Sequence, residues 1–127
     1  MMDNAYLNFE EKLGILAESE KNDLMREIRD DIDAIDKELV RLLSKRTLDS
    51  VLIGKVKTSL GLPTYNPQRE KEIAEKISSY VEKPLGKEAV QRIFERIIDE
   101  SRAVQKEEAR KGIDNIDGQP EHNKDGV

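Results

Sequence analysis

The sequence has no cysteine, no tryptophan and a single histidine, with four prolines and seven glycines among 127 residues. Without thiols there are no disulfides, no thiolate nucleophile and no cysteine-ligated zinc. The one histidine, His122, lies in a polar C-terminal run, which argues against histidine-based acid–base chemistry. No apolar stretch approaches the roughly 18 residues of a membrane span. Asp3, Glu10 and Glu11 stand where a secretory signal would be basic and then apolar, so a cytoplasmic location is expected. Cations are outnumbered, with 22 Lys and Arg against 27 Asp and Glu and a net charge of −5, which disfavours nucleic acid as a partner. Charge itself is abundant, at 39% of residues against a usual quarter, while apolar residues make up 36% and aromatics 4%. This is the composition of a soluble all-α protein with thin cores and solvated faces.

Hydrophobic spacing organises the chain. In residues 1–20, Tyr6, Phe9, Leu13 and Leu16 step by three and four, which predicts a short helix or arm ahead of the main body. From Asp23, a candidate N-cap, to about Leu60 there is no proline. Ile28, Ile32, Ile35, Leu39 and Leu42 form a heptad-like seam there. Gly61 followed by Pro63 marks the stop. A helix of about 38 residues is roughly 57 Å long, against a diameter of roughly 35–40 Å for a compact globule of this size. The rest of one chain cannot cover it, so the expected assembly is an intertwined twofold homodimer. Asn66-Pro67 reads as N-cap and first helical residue of a second helix, with Ile73, Ile77, Tyr80 and Val81 inward. A third helix begins near Gly86 or Lys87, with a stripe of Val90, Ile93, Phe94, Ile97 and Ile98. The expected organisation is thus a three-helix domain over 21–110 and a disordered tail over 111–127, poor in apolar residues.

Polar residues stand where these stripes call for core. The long seam continues onto Arg46, Ser50, Ile53 and Lys57. Arg46 and Lys57 are 11 residues apart, about 16 Å along the axis and within roughly 20° of one face, so both can reach an anion between them. The plainer alternative is that they reach solvent or meet carboxylates. On the second helix the inward steps lead back from Ile77 through Ile73 to Glu70, with Arg69 beside it; Glu70 is also simply a good partner for the helix N-terminus. On the third, Ser101 and Gln105 share one face, as a buried hydrogen-bonding network would require. Arg29 lies about 25 Å along the helix from Arg46, too far to serve the same site in its own chain. An antiparallel partner helix would bring it there, completing a pocket for a small dianion.

In these positions the sequence resembles the all-helical, intertwined-dimer class of chorismate mutase. The matching text is Ile28-Arg29 with Ile32-Asp33-Ala34-Ile35-Asp36, Leu42-Leu43-Ser44-Lys45-Arg46, Ile53-Gly54-Lys55-Val56-Lys57, Pro63, Arg69-Glu70, and Ile97-Ile98 with Ser101 and Gln105. The resemblance spans about residues 23–106. It implies a protomer of three helices whose long first helices pair across a dimer. Arg29 would be the arginine donated to the neighbour's site and Arg46 the home subunit's carboxylate-binding arginine. Lys57 would touch a carboxylate and the ether oxygen, and Gln105 would donate to that oxygen. Glu70 would accept from the ring hydroxyl, with Ser101 and Arg69 as supporting carboxylate contacts. Asn66, near the ring hydroxyl, departs from the aspartate often found there, and Gly86-Lys87 replaces a stronger N-cap.

The implied activity is the isomerisation of chorismate to prephenate, on the route to phenylalanine and tyrosine, with neither metal nor cofactor. An amide at Gln105 does not titrate, so activity is expected to persist on the alkaline side until Lys57 loses its proton. An isochorismate pyruvate lyase has a similar fold and pocket, and a non-catalytic helical interaction module is the alternative from another class. The N-terminal arm is a candidate contact for another enzyme of the shikimate pathway.

Overall fold

The computed structural model describes the backbone of residues 2–116 and the side chains of residues 8–111. It consists of four helices: α1 (Met2–Ile15), α2 (Glu18–Ser59), α3 (Pro67–Ser79) and α4 (Lys87–Ile116). There is no strand among the described residues, so the protein is all-α. The three expected helices are α2, α3 and α4, and the amphipathic N-terminal stretch forms a fourth ahead of them. Its stripe is partly covered: Leu13 and Leu16 are half-buried, while Phe9 is exposed.

Helix α2 starts five residues earlier than Asp23. Ala17 is its N-cap, and its backbone N–H is satisfied by the Glu20 carboxylate at 2.8 Å. Asp23 lies inside the second turn, where it pairs with Arg26 at 3.1 Å. With 42 residues, α2 is about 63 Å long. Its end follows from one glycine. Gly61 takes φ +72°, a left-handed conformation open to glycine without steric cost. Gly61 N–H then reaches Thr58 O at 3.1 Å and Leu62 N–H reaches Lys57 O at 2.8 Å, closing off the last carbonyls. The chain turns through residues 60–66 into α3. There Asn66 Oδ1 accepts from Arg69 N–H at 3.1 Å, and Pro67 supplies the first helical residue.

Helix α3 is shorter than its hydrophobic pattern predicts. It stops at Ser79, and Tyr80 N–H turns back to Ile77 O at 3.1 Å. That turn directs Tyr80 outward, 70% exposed, rather than inward. Helix α4 is longer than predicted. It continues to Ile116, past the point where a disordered tail was expected to begin, because Gly112 alone costs only about 1 kcal/mol against a run of strong helix formers. The remainder of that tail, 117–127, lies outside the described residues.

The long α4 packs against both α2 and α3. Ile77 of α3, 6% exposed, is the one buried hydrophobic residue among the described residues, and Gln91 of α4 donates to Ser78 Oγ of α3 at 3.1 Å. By contrast, the seam of α2 is bare along its N-terminal half: Ile28, Ile32, Ile35, Leu39 and Leu42 are 42–51% exposed. Along this stretch Arg41 binds Glu38 at 2.5 and 2.9 Å and holds its carboxyl below the ordinary carboxylate range, fully solvated.

Candidate active site

A cavity of about 270 Å³ opens between the C-terminal half of α2, the 60–66 loop, the start of α3 and the middle of α4. Its wall contains Arg46, Ser50, Ile53 and Lys57 from α2, the four residues that continue the apolar seam of that helix. Asn66, Arg69 and Glu70 enter from the first turn of α3, and Ser101 and Gln105 from α4. Seven of the eight predicted site residues therefore meet in one place. The eighth, Arg29, is exposed and lies far down α2, outside this cavity.

The two central cations are not spent on carboxylates. Arg46 is half-buried, with its guanidinium carbon 6.0 Å from the centre of the Phe94 ring. Lys57 is also half-buried and donates from Nζ to Thr64 O at 3.0 Å. Neither forms an ion pair among the described residues. An ammonium has three donor hydrogens, so Lys57 keeps donors for a guest. Gln105 donates from Nε2 to Ser50 O at 2.5 Å, across from α4 to α2. Its amide nitrogen carries a second hydrogen. Ser101, 4% exposed, is the buried polar residue of this wall.

The charge of the wall suits an anion. Arg46, Lys57, Arg69 and Arg102 are set against Asp49 and Glu70, a surplus of two positive charges. Asp49 is already neutralised by Lys45 at 3.0 Å, and Arg69 leans on Glu72 at 3.4 Å. Ile53, Ile73 and Ile98 supply an apolar floor. The residues lining the cavity include no histidine and no cysteine. Among the described residues there is also no cluster of acidic or histidine side chains able to hold a metal ion, and no helix long and apolar enough to cross a membrane.

The family description chorismate mutase type II matches residues 28–106. The chain belongs to that family. It is 36% identical over 86 residues to a bifunctional chorismate mutase/prephenate dehydratase of Aquifex aeolicus, covering 65% of this chain and 24% of that protein. The chain thus spans about a quarter of the length of that relative. It is 31% identical over 84 residues to a chorismate mutase of Methanocaldococcus jannaschii, covering 65% of this chain and 85% of that one. Among solved structures it resembles form II of the chorismate mutase from Thermus thermophilus, with a TM-score of 0.63 and 30% identity over 65% of this chain and 93% of that one. The family match leaves out α1, the first ten residues of α2 and the last turns of α4.

Four residues of the wall, Asp49, Thr64, Tyr65 and Arg102, escaped the sequence pattern, and the last two touch each other. Arg102 pairs with Glu70 and lies over the Tyr65 ring, 5.5 Å from its centre. Stripes at three- and four-residue spacing point to Ser101 and Gln105, and Arg102 falls about 100° around the helix from Ser101. Tyr65 belongs to the turn between helices, where no periodicity exists to place it. Membership of the chorismate mutase type II family does not by itself assign either residue a task.

Proposed function

We propose that this chain catalyses the rearrangement of chorismate to prephenate, as a cytoplasmic homodimer in which each cavity is completed by Arg29 of the partner subunit. The observation that carries the reading is the pair Arg46 and Lys57, two half-buried cations without carboxylate partners facing one cavity with Gln105, in a member of this family. Chorismate is a dianion, and the cationic surplus of the wall suits it.

The reaction is a pericyclic step in which the ether C–O bond breaks as a C–C bond forms, so it requires neither nucleophile nor obligatory proton transfer. In this reading Arg46 and the donated Arg29 clamp the carboxylates, with Arg69 and Ser101 in support. They hold the enolpyruvyl arm over the ring in a reactive shape. Negative charge grows on the ether oxygen as the C–O bond lengthens. Lys57 and the second amide hydrogen of Gln105 stabilise it from fixed positions. Glu70 accepts from the ring hydroxyl, and Asn66 borders it. A modest enzymatic acceleration of about 10⁶ requires roughly 8 kcal/mol. Two preorganised donors at about 2.7–4 kcal/mol each, by analogy with an oxyanion hole, provide most of that.

The bare seam of α2 supports the dimer. Five large aliphatic residues at heptad-like spacing, each 42–51% exposed, form an apolar strip that another copy of the same helix would cover. Antiparallel pairing would carry Arg29 along the partner towards Arg46. The fusion of mutase and dehydratase in the Aquifex relative supports a further proposal, that this shorter chain associates with another enzyme of the same pathway.

Incubating the pure protein with chorismate, and separately with isochorismate, tests the activity. The expected result is prephenate from chorismate, reduced about 10²–10³-fold in Lys57→Ala and Gln105→Ala and strongly in Arg46→Ala. Pyruvate released from isochorismate faster than chorismate is consumed would overturn the reading in favour of a lyase. No turnover of either substrate would overturn it in favour of a binding module.

A further inference from the structure

We propose that Arg102 is a positioning residue of this site, holding Glu70 neutralised and fixed so that its remaining carboxylate oxygen meets a hydroxyl donor on the guest. The proposal deepens the mutase reading and rests on it. Arg102 Nη2 donates to Glu70 Oε2, and both side chains are only 33% exposed. Arg26–Asp23, Arg41–Glu38, Lys45–Asp49 and Arg96–Glu100 all join residues three or four apart on one helix, at higher exposure. Arg102–Glu70 instead ties α4 to the first turn of α3. The same guanidinium lies over Tyr65, 5.5 Å from the ring centre, and so also holds the loop just before Asn66. Asp99 on its own helix is a looser neighbour, 3.8 Å from Nη1.

A lone carboxylate is out of place in a cavity built for a dianion, because it repels the guest it helps to bind. The Arg102 partner cancels that charge while leaving the acceptor in place. A carboxylate has two oxygens and accepts only. Oε2 is taken by Arg102, and Oε1 receives no hydrogen bond among the described residues. Glu70 thus offers a neutralised, directional acceptor that selects a guest with a hydroxyl at that end. Arginine suits the task better than lysine, since its flat guanidinium stacks on the tyrosine while it binds the carboxylate.

A double-mutant cycle over Arg102→Met and Glu70→Gln, assayed with chorismate, tests the assignment. Arg102→Met is expected to raise KM at least tenfold with kcat changed less than threefold, and Arg102→Lys to recover part of the KM. Glu70→Gln is expected to lower kcat/KM at least tenfold in the parent. In the Arg102→Met background the same change is expected to be neutral or favourable, because the carboxylate there is an uncompensated repulsion. An equal loss in both backgrounds, or an unchanged KM in Arg102→Met, would overturn the proposal. Thermal melts identify a variant that fails to fold, in which case Arg102→Gln, which also removes the cation, replaces Arg102→Met in the cycle and the same non-additivity decides. If the parent turned over no chorismate the mutase reading would fall. The cycle read by calorimetric binding of prephenate, which keeps both carboxylates and the hydroxyl, would still decide the role of Arg102.

Discussion

Gly54 offers a sensitive probe of the Gln105 donor. A Cβ added at Gly54 would find its nearest neighbours all on Gln105: Nε2 at 3.6 Å, Cδ at 3.9 Å and Cγ at 4.0 Å. These are ordinary contact distances, and Gly54 lies within helical backbone of α2. Gly54→Ala is therefore expected to gain about 0.5–1 kcal/mol from the reduced backbone entropy of the unfolded chain. That raises Tm by about 2–5 °C at fixed protein concentration, with kcat/KM within twofold of the parent. Gly54→Val differs. Each of its methyls stands about 1.5 Å beyond Cβ, and a β-branched side chain in a helix has essentially one rotamer with which to avoid a clash. The amide must then leave Ser50 O, and turnover should fall towards the loss of about 10²–10³-fold that removal of a transition-state donor causes. A chorismate-consumption assay on both variants beside Gln105→Ala, with melting curves, checks the prediction. Full activity in Gly54→Val alongside an inactive Gln105→Ala would refute it, as would a loss in Gly54→Ala equal to that of Gln105→Ala.

Gln105→Glu is expected to work only while its carboxyl is protonated and able to donate, so its kcat/KM should fall as pH rises through the carboxyl range while the parent holds steady; a pH–rate profile of both proteins decides. Asn66→Ala removes the acceptor of Arg69 N–H at the start of α3 and should cost about 1 kcal/mol, seen as a Tm lowered by several degrees. Ile35→Asp puts a charge in the middle of the bare α2 seam, where Ile35 is 51% exposed in one chain. Sedimentation should then show a monomer, with activity lost because Arg29 of the partner subunit no longer arrives.

Much of the cavity was legible because its polar residues interrupt a regular apolar stripe. Arg46 and Lys57 stand at seam positions of α2, and Ser101 and Gln105 continue the stripe of α4, so one helical wheel identifies each pair. Asn66-Pro67 announced the start of α3 through chemistry that hardly depends on tertiary context. The start of α2 was not legible, since Ala17 has no side-chain acceptor and the cap is supplied from inside the helix by Glu20. Nor was the length of α4, where a single glycine in a lysine- and glutamate-rich run is too weak a breaker to end a helix. Arg102 was hidden for a different reason. Its partner is on another helix, 32 residues away, and pair contacts between elements leave no periodic trace in either one.

Both groups proposed to meet the ether oxygen are anchored to main-chain carbonyls: Lys57 to that of Thr64, and Gln105 to that of Ser50. A carbonyl oxygen belongs to the polypeptide rather than to any side chain, so positions 50 and 64 can drift among many amino acids without loosening either donor. The aim of these two proposed donors is thus written into the path of the backbone, and selection need guard only the shape of that path and the two side chains themselves.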